Sequence, residues 1–439
     1  MGEPSGFRHL IGRLTGSTFA AQALTLAGGT AIAQGILAGS TPILSRLYTP
    51  AEFGTFAVYL AVVGLIVPAA TAKYDQAVLL PDDERDADAL VIVSVAIALL
   101  LGLAAAGLAF FLSGPIENAI GAQTEIAWLP LAGLSVVLIG SYSALTFWLN
   151  RRSAYRRISI NRIAQAVIAV TIQIAAGLWQ PTALGLAGGL LAGQALTTGT
   201  LAWTFVRTSH LDQILSQDRK RLRDVLRRYR HHAGHILPGQ WIGSAALNIP
   251  TFAIAGSYGA AAAGFFSLAY RMVTLPTILI AAAVGDVYRR RASEAYRETR
   301  DFSGLFLKTI RSLAAVALLP SVPIILFAPQ IFEFVFGAFW RTAGEYAQIL
   351  TVAAVFQFVL TPVDKGAVIV GATRYVLAWN ILRFVLNCAI AGLALYGRIP
   401  VEGFLVLLAA VNSALYLIDG YFEYRFSKGG SPAEPAAGS

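Results

Sequence analysis

Residues 89–113 read ALVIVSVAIALLLGLAAAGLAFFLS and contain no charged side chain. An α-helix needs about 20 predominantly apolar residues to cross the hydrocarbon core of a bilayer, so this stretch is long enough for one span. The composition of the whole chain agrees, because its 439 residues are 56% hydrophobic and only 13% charged, whereas soluble domains carry about 25% charged residues. The sequence therefore predicts an integral membrane protein.

Similar apolar runs recur along the chain and predict about twelve transmembrane helices. In the first half the runs lie at 19–45, 53–72, 89–113, 127–149, 163–178 and 183–206. In the second half they lie at 236–257, 262–285, 305–328, 344–363, 375–397 and 403–422. This equal division predicts an all-α fold of two pseudo-symmetric six-helix lobes, 1–206 and 236–425, around a central cavity.

An internal repeat supports the division into two lobes. The second run opens with Tyr48, Gly54 and Phe56, and the same residue types recur 210 positions later at Tyr258, Gly264 and Phe266. A shift by six spans returns the chain to the same side of the membrane, so the two copies would be parallel. Parallel lobes around a cavity are the plan of a transporter that works by alternating access.

A basic segment, 207–235, lies between the predicted lobes. Its apolar residues recur at helical spacing between arginines, which predicts an amphipathic linker helix on the anionic cytoplasmic face of the membrane. His231, His232 and His235 have no acidic or cysteine neighbour, so we expect a solvated linker end rather than a metal site. The tail 426–439 is rich in Gly, Pro, Ala and Ser and is predicted to be disordered.

The positive charges predict the orientation of the helices, because cytoplasmic loops of membrane proteins are enriched in Lys and Arg. With a cytoplasmic N-terminus, the inside loops receive Arg151, Arg152, Arg156, Arg157, seven basic residues between 219 and 230, and five arginines between 289 and 300. The outside loops keep only Arg46, Arg341 and Arg398. Both termini are therefore predicted to be cytoplasmic, although the link 82–88 on that side is acidic.

The composition also excludes several classes of function. Cys388 is the single cysteine, so neither an intramolecular disulfide nor a cysteine-based zinc site can form. The net charge of +9 resides in loops between apolar runs, where it reports membrane topology rather than nucleic-acid binding. We find no nucleophile or catalytic metal set, and we expect a protein that is not an enzyme and needs no cofactor.

Polar residues within the runs are candidates for a substrate cavity, because an ionisable group facing lipid costs several kcal/mol. Arg271 lies about nine residues, or about 13 Å, inside the outer end of its run. A guanidinium in a cavity binds phosphate through paired donors. Arg383 would add a second cation or instead pair with Asp419. The polar faces also contain Gln240, Asn248 and Asn380.

Further charged residues lie near the ends of runs. Arg46 and Lys73 are candidates for substrate contact, with anchoring at the membrane interface as the alternative. Four carboxylates are candidates for a proton or sodium-ion site, since a desolvated carboxylate near a cation can change its charge state with conformation. They are Asp75, Asp286, Asp364 and Asp419. Helix-end or salt-bridge roles are the alternative for each.

Three segments resemble motifs of a known family. The segment 45–54, SRLYTPAEFG, resembles the link after span one in the oligosaccharide flippases of the polysaccharide biosynthesis family, the Wzx-like branch of the multidrug/oligosaccharidyl-lipid/polysaccharide exporter superfamily. The segment 73–81, KYDQAVLLP, is similar to the motif that closes span two. The third is weaker: Phe327-Ala328-Pro329, with Phe336-Gly337 and Trp340 further on, resembles the link after span nine.

The resemblance implies a substrate and a location. The substrate would be undecaprenyl pyrophosphate carrying a short oligosaccharide, turned from the cytoplasmic to the periplasmic leaflet of a bacterial inner membrane for O-antigen, capsule or exopolysaccharide assembly. A polysaccharide polymerase and chain-length machinery are possible partners. Family members are thought to use a cation-lined cavity, but spans three to six here have few charges, which argues against a fully cationic lumen.

Three alternative functions stay open at the level of sequence. A multidrug cation antiporter would expose acidic groups in its cavity, whereas the first run has no charge. A membrane glycan polymerase or glycosyltransferase usually needs a sizeable charged outer loop, and the outer loops here are short. A peptidoglycan- or teichoic-type lipid flippase differs only in its substrate.

Overall fold

The computed structural model describes residues 18–120, 128–211, 214, 219–397 and 399–429. These residues form helices and no β-strand. The first seven helices are α1 (Thr18–Leu47), α2 (Pro50–Ile66), α3 (Tyr74–Ala77), α4 (Glu84–Ile120), α5 (Leu131–Arg151), α6 (Tyr155–Trp179) and α7 (Ala183–Thr208). The others are α8 (Arg219–Thr299), α9 (Ser303–Phe336), α10 (Arg341–Leu360), α11 (Gly366–Ile369), α12 (Thr373–Gly397) and α13 (Val401–Ser427). Short 3₁₀ turns occupy Val67–Ala69, Ala338–Trp340 and Thr361–Val363.

The prediction of an all-α membrane protein is confirmed. Within the described ranges, nine helical segments are long and apolar enough to cross a membrane. One of them, Leu237–Thr277, contains all but the first residue of one predicted run and most of the next. The described part of every other predicted run also lies in helix or in a turn next to it. The N-terminal residues 1–17 and most of the predicted tail lie outside the described residues.

Gly259 separates the two predicted spans within α8. Its φ of 85° and ψ of 173° are not helical, so the helix is interrupted between the predicted runs 236–257 and 262–285. A positive φ of this kind is accessible to glycine because it has no Cβ. A single glycine therefore separates the two predicted spans without a loop between them.

The helices group into two compact units. Unit 1 contains Met1–Leu44, Ile66–Ser113 and Ala127–Pro238, and unit 2 contains Ser45–Leu65, Gly114–Ile126 and Gly239–Ser439. Helix α2 belongs to the first half of the sequence but groups with unit 2. The boundaries predicted at 206 and 236 stay predictions.

The described residues of the linker 207–235 pack within unit 1, and the predicted position of this segment on the cytoplasmic face of the membrane stays a prediction. Ile214 and Val225 are 1% and 2% exposed and belong to the core that contains Trp148 and Phe205. The Tyr74 hydroxyl donates a hydrogen bond to the Leu226 carbonyl at 3.0 Å. Protein side chains therefore cover Ile214 and Val225 on the apolar face of this segment.

The acidic link 82–88 forms ion pairs with the basic linker. Arg221 contacts Asp83 at 2.6 Å and Asp86 at 2.8 Å, and its hydrogen bond lowers the pKa of Asp83. The fully buried Asp88 carboxylate accepts hydrogen bonds from the Trp148 indole at 2.7 Å and from the His210 backbone N–H at 3.0 Å. The unusual acidity of this loop is thus explained by its partner within unit 1.

Two of the family-like motifs meet inside unit 2. The Ser45 hydroxyl donates to the Phe336 carbonyl at 2.9 Å, and the Trp340 indole donates to the Ser45 carbonyl at 2.8 Å. Phe53 packs edge-on against Trp340 with ring centroids 5.0 Å apart. The motif after span one therefore holds the turn that follows α9.

Candidate substrate and ion sites

Arg271 lies on α8 within a candidate membrane span. Its side chain is half-buried, and it makes no hydrogen bond or ion pair with any residue that the structure describes. Burying a guanidinium without a counter-charge is costly, so such a group is expected to meet an anion or water. Arg271 therefore has the property that an anion-binding residue needs.

Arg383 lies on α12 between two pockets of unit 2. The first, a cavity of about 50 Å³, has amide and hydroxyl groups among apolar side chains. Its polar lining consists of Tyr270, Thr274, Gln357, Arg383, Asn387, Asn412 and Tyr416. The second, of about 270 Å³, contains three carboxylates and includes Asp364, Tyr375, Asn380, Arg383, Tyr416, Asp419 and Glu423 in its lining.

The predicted pair between Arg383 and Asp419 is not formed as a direct salt bridge. The guanidinium carbon of Arg383 lies 5.5 Å from the centroid of the Tyr416 ring, with one nitrogen 3.5 Å from its hydroxyl. Asp419 instead accepts a hydrogen bond from the Tyr375 hydroxyl at 2.6 Å. Arg383 therefore lines the acidic pocket without a direct salt bridge to Asp419.

Glu423 completes the acidic pocket and was not among the predicted ion-site residues. It is 4% exposed and accepts hydrogen bonds from the backbone N–H groups of Gly366 at 2.6 Å and Ala367 at 3.3 Å. Asp364 contacts its neighbour Lys365. The polar spacing of Asp419 and Glu423, four residues apart on α13, was the signal in the sequence.

The polar residues predicted to line one cavity are dispersed. Asn380 lines the acidic pocket. Asn248 donates to the Ser244 carbonyl at 2.8 Å, and Ser244 donates to the Gly64 carbonyl at 2.7 Å. Gln240 is exposed. Ser244, one turn before Asn248, therefore joins α8 to α2.

Arg46 and Asp286 lie at exposed positions. One nitrogen of Arg46 donates to the Phe334 carbonyl at 3.2 Å. Asp286 pairs with Arg289 at 3.0 Å one turn along α8. The contact of Asp286 corresponds to the salt-bridge alternative, and a role in binding stays a prediction for both residues.

Lys73 precedes the short α3 in unit 1, and Asp75 lies within it. Lys73 has a φ of 66° and caps the helix start, and burial lowers the pKa of its amine. Asp75 is 5% exposed and accepts hydrogen bonds from Thr71 at 2.7 Å and Ser143 at 2.5 Å. The carboxylate therefore stabilises the turn that ends the predicted span two, and its role in ion binding stays a prediction.

Arg162 is a cation that the sequence reasoning missed. The predicted span five begins at 163, whereas α6 begins at Tyr155 and carries Arg162 within its candidate span. Its guanidinium donates to the Thr30 hydroxyl at 2.5 Å. Because the predicted span begins one residue after Arg162, its intramembrane charge is not predicted. The position of Arg162 among apolar residues was the signal in the sequence.

Residues 43–345 match the model of the family described as polysaccharide biosynthesis protein. This match covers more than half of the chain. The chain belongs to this family. The resemblance carried by the motifs is therefore confirmed. None of the curated proteins has a sequence that matches the chain.

Solved structures of similar fold are transporters and a flippase. The lipid II flippase MurJ in an inward closed conformation matches with a TM-score of 0.68 and 11% identity, over 93% of this chain and 90% of its own. An inward-facing multidrug resistance MATE family transporter of the MOP superfamily gives 0.64 and 19%, over 91% and 94%. A MOP superfamily transporter from Pyrococcus furiosus gives 0.56 and 19%, over 92% and 95%. These matches show that the chain shares the fold of these multi-pass membrane proteins.

Proposed function

We propose that this protein is a flippase for undecaprenyl-pyrophosphate-linked oligosaccharide repeat units. It moves them from the cytoplasmic to the periplasmic leaflet of the bacterial inner membrane for O-antigen, capsule or exopolysaccharide assembly. The observation that carries the proposal is the half-buried Arg271, which lies within a candidate membrane span and has no counter-charge among the described residues. Membership of the polysaccharide biosynthesis family supports the class of substrate.

The chemistry of the substrate explains why such a site is needed. A pyrophosphate and several sugars cannot cross about 30 Å of hydrocarbon unassisted, while the prenyl tail is stable in lipid. Arg271 offers paired N–H donors to the phosphate oxygens, and Arg383 supplies a second cation. The substrate stays intact, so no bond-breaking residue is required.

Alternating access would release the substrate on the opposite side. The basic loops orient both termini toward the cytoplasm in this proposal. Substrate bound from the cytoplasmic leaflet neutralises the cations, which favours closure, and release restores their charge. A polymerase and chain-length machinery would receive the exported units.

The acidic pocket of unit 2 is the proposed site of ion coupling. Asp364, Asp419 and Glu423 line it together with Arg383. Like charges that share one pocket favour the uptake of a proton or a sodium ion by at least one carboxylate. Ion entry would change the field at Arg383 and hence its affinity for an anionic substrate.

The test is a strain that lacks the gene, complemented with the native chain or with Arg271→Ala. Mass spectrometry of extracted lipids measures the lipid-linked repeat units, and surface polysaccharide is quantified in parallel. We expect full-length lipid-linked units to accumulate and surface polymer to fall both in the deletion strain and with Arg271→Ala. Arg341→Ala is the matched control, because Arg341 forms an exposed pair with Glu333.

Each outcome separates the proposal from an alternative. Accumulated lipid II instead of oligosaccharide units would favour the peptidoglycan-type flippase, which the fold similarity to MurJ makes the second candidate. Incomplete units would point to an enzyme. Unchanged lipids and surface polymer would contradict the flippase and favour cation export.

A further inference from the structure

The acidic pocket of unit 2 has an aromatic wall, formed by Tyr375 and Trp379. These residues lie one turn apart on α12, and both line the pocket. Their rings stack at 14° with centroids 5.8 Å apart, and both side chains are half-buried. The Tyr375 hydroxyl donates to Asp419, and its ring centroid lies 5.5 Å from that of Phe422 and 5.1 Å from that of Phe426. These contacts hold the wall in position.

Hydrogen-bonding groups without a protein partner lie in the same pocket. The indole N–H of Trp379 and the side-chain amide of Asn380 make no hydrogen bond with any residue that the structure describes, and both residues line the pocket. Asp419 accepts from Tyr375 through one oxygen, and Asp364 contacts Lys365 through one oxygen. Among the described residues, the second oxygen of each carboxylate accepts no hydrogen bond. The pocket therefore offers both N–H donors and oxygen acceptors to a ligand.

A single sugar ring fits this combination of groups. Each sugar hydroxyl both donates and accepts hydrogen bonds, so it can use the donors and the acceptors together. The C–H bonds on one face of a pyranose pack against an aromatic ring, because the face of the ring is electron-rich. The pocket volume of about 270 Å³ is near the lower end of the range of about 300–1,000 Å³ for small-molecule sites. It therefore suits one ring rather than a whole oligosaccharide.

Other ligands match only part of the pocket. A proton or a sodium ion uses the carboxylates but needs neither the aromatic wall nor the N–H donors. A phosphate is repelled by the three carboxylates of the lining, Asp364, Asp419 and Glu423. An organic cation is opposed by Arg383, which lines the pocket, and by Lys365, which contacts Asp364. These two cations offset two of the three carboxylates, which favours an uncharged ligand.

We propose that the acidic pocket of unit 2 is a saccharide subsite, in which one sugar ring packs on Trp379 and forms hydrogen bonds with Asn380 and Asp419. This inference rests on the proposed function, because the sugar is assigned to the lipid-linked oligosaccharide. The pocket lies beside the start of α12 and the end of α13, which face the cytoplasm in the predicted orientation. It would therefore receive the sugar on the side where the substrate is loaded. Asp419 is shared with the proposed coupling ion, so ion entry promotes release of the sugar.

The test measures glycoside binding by the purified full chain in lipid nanodiscs. Saturation-transfer NMR, which detects weak binding, follows titrations of the methyl glycosides of glucose, galactose and N-acetylglucosamine, one at a time. Tetraphenylphosphonium is titrated separately as the organic cation. Trp241→Ala is the matched control for Trp379→Ala, because Trp241 is an exposed tryptophan of unit 2 that does not line this pocket.

We expect at least one glycoside to bind the native chain, and Trp379→Ala to weaken that binding about tenfold, since it removes both the packing face and the indole donor. Trp379→Phe keeps an aromatic face and should weaken binding only about threefold. Asn380→Ala should also weaken it about threefold. Its amide has no partner in the described part of the chain, so this variant tests the ligand contact rather than the fold.

Several results would overturn the inference. They are the absence of binding for all three glycosides, equal binding by Trp379→Ala and Trp241→Ala, or unchanged binding by Asn380→Ala. Tetraphenylphosphonium binding that exceeds that of every glycoside and is lost in Trp379→Ala would instead identify an organic-cation site. If Trp379→Ala does not insert, Trp379→Phe and Asn380→Ala decide.

The lipid pool of the deletion strain tests the proposed function separately. Unchanged lipids together with glycoside binding would reject the flippase and keep the saccharide site. Accumulated lipid-linked units without glycoside binding would reject the saccharide site alone.

Discussion

Gly54 on α2 and Gly264 on α8 pack directly against each other inside unit 2. A Cβ on Gly54 would collide with the Ala260 carbonyl, and a Cβ on Gly264 would collide with the Pro50 carbonyl. The partners correspond under the same shift of 210 positions that relates the two glycines. This reciprocal contact is what a two-fold relation between parallel repeats produces, and it supports the internal repeat predicted from the sequence.

The first prediction concerns this helix crossing. Gly54→Ala should lower the melting temperature in detergent, because the added methyl group would clash with backbone atoms, which cannot move aside as a flexible side chain can. The expected loss of folding stability is about 1–3 kcal/mol. Gly392→Ala is the control, since nothing lies within 4 Å of its Cβ position. That variant should be neutral or slightly stabilising. Equal melting temperatures for the two variants would contradict the close packing.

The second prediction concerns the contact between the two family motifs. Trp340→Phe keeps the aromatic contact with Phe53 but removes the indole donor to the buried Ser45 carbonyl. We expect a loss of about 1 kcal/mol, measured as reduced thermal stability of the purified protein. Trp241→Phe changes an exposed tryptophan and serves as the control. A larger effect in the control would refute the role assigned to Ser45.

The third prediction concerns the linker helix on unit 1. Arg221→Glu would place a negative charge beside Asp83 and Asp86, so the helix should dissociate more often and limited proteolysis should cleave 207–235 several-fold faster. Arg223→Glu has the same charge change at an exposed position without such a pair. High salt should accelerate cleavage of the native chain and reduce the difference between variants. Identical cleavage of the two variants would show that the ion pairs do not hold the linker.

The fourth prediction concerns ion coupling in the acidic pocket. Asp419→Asn removes a charge while keeping an acceptor for Tyr375, and it should make transport of lipid-linked substrate into proteoliposomes at least several-fold less dependent on an imposed proton or sodium gradient. Asp286→Asn is the control, because Asp286 is exposed on α8. Full gradient dependence in Asp419→Asn, Asp364→Asn and Glu423→Gln would exclude this pocket as the coupling site.

The sequence by itself determined the membrane class, the helical runs and the family. Each of these follows from local properties, since about 20 apolar residues form a span wherever they occur and a motif such as SRLYTPAEFG is contiguous. The sequence also identified Arg271 as an intramembrane cation, because a charge inside an apolar run is visible without a structure.

The tertiary structure alone decided which distant groups meet. Hydropathy indicates that a helix is buried in lipid or protein but not which of its faces meets which partner. The sequence therefore did not predict three contacts: the grouping of α2 with unit 2, the crossing of Gly54 and Gly264, and the pairing of the acidic link with Arg221. Packing also separated residues that were predicted to line one cavity, leaving Gln240 exposed while Asn380 lines the acidic pocket. The physical reason is that such contacts depend on the close approach of helices far apart in the chain, and a periodic pattern encodes a face but not its neighbour.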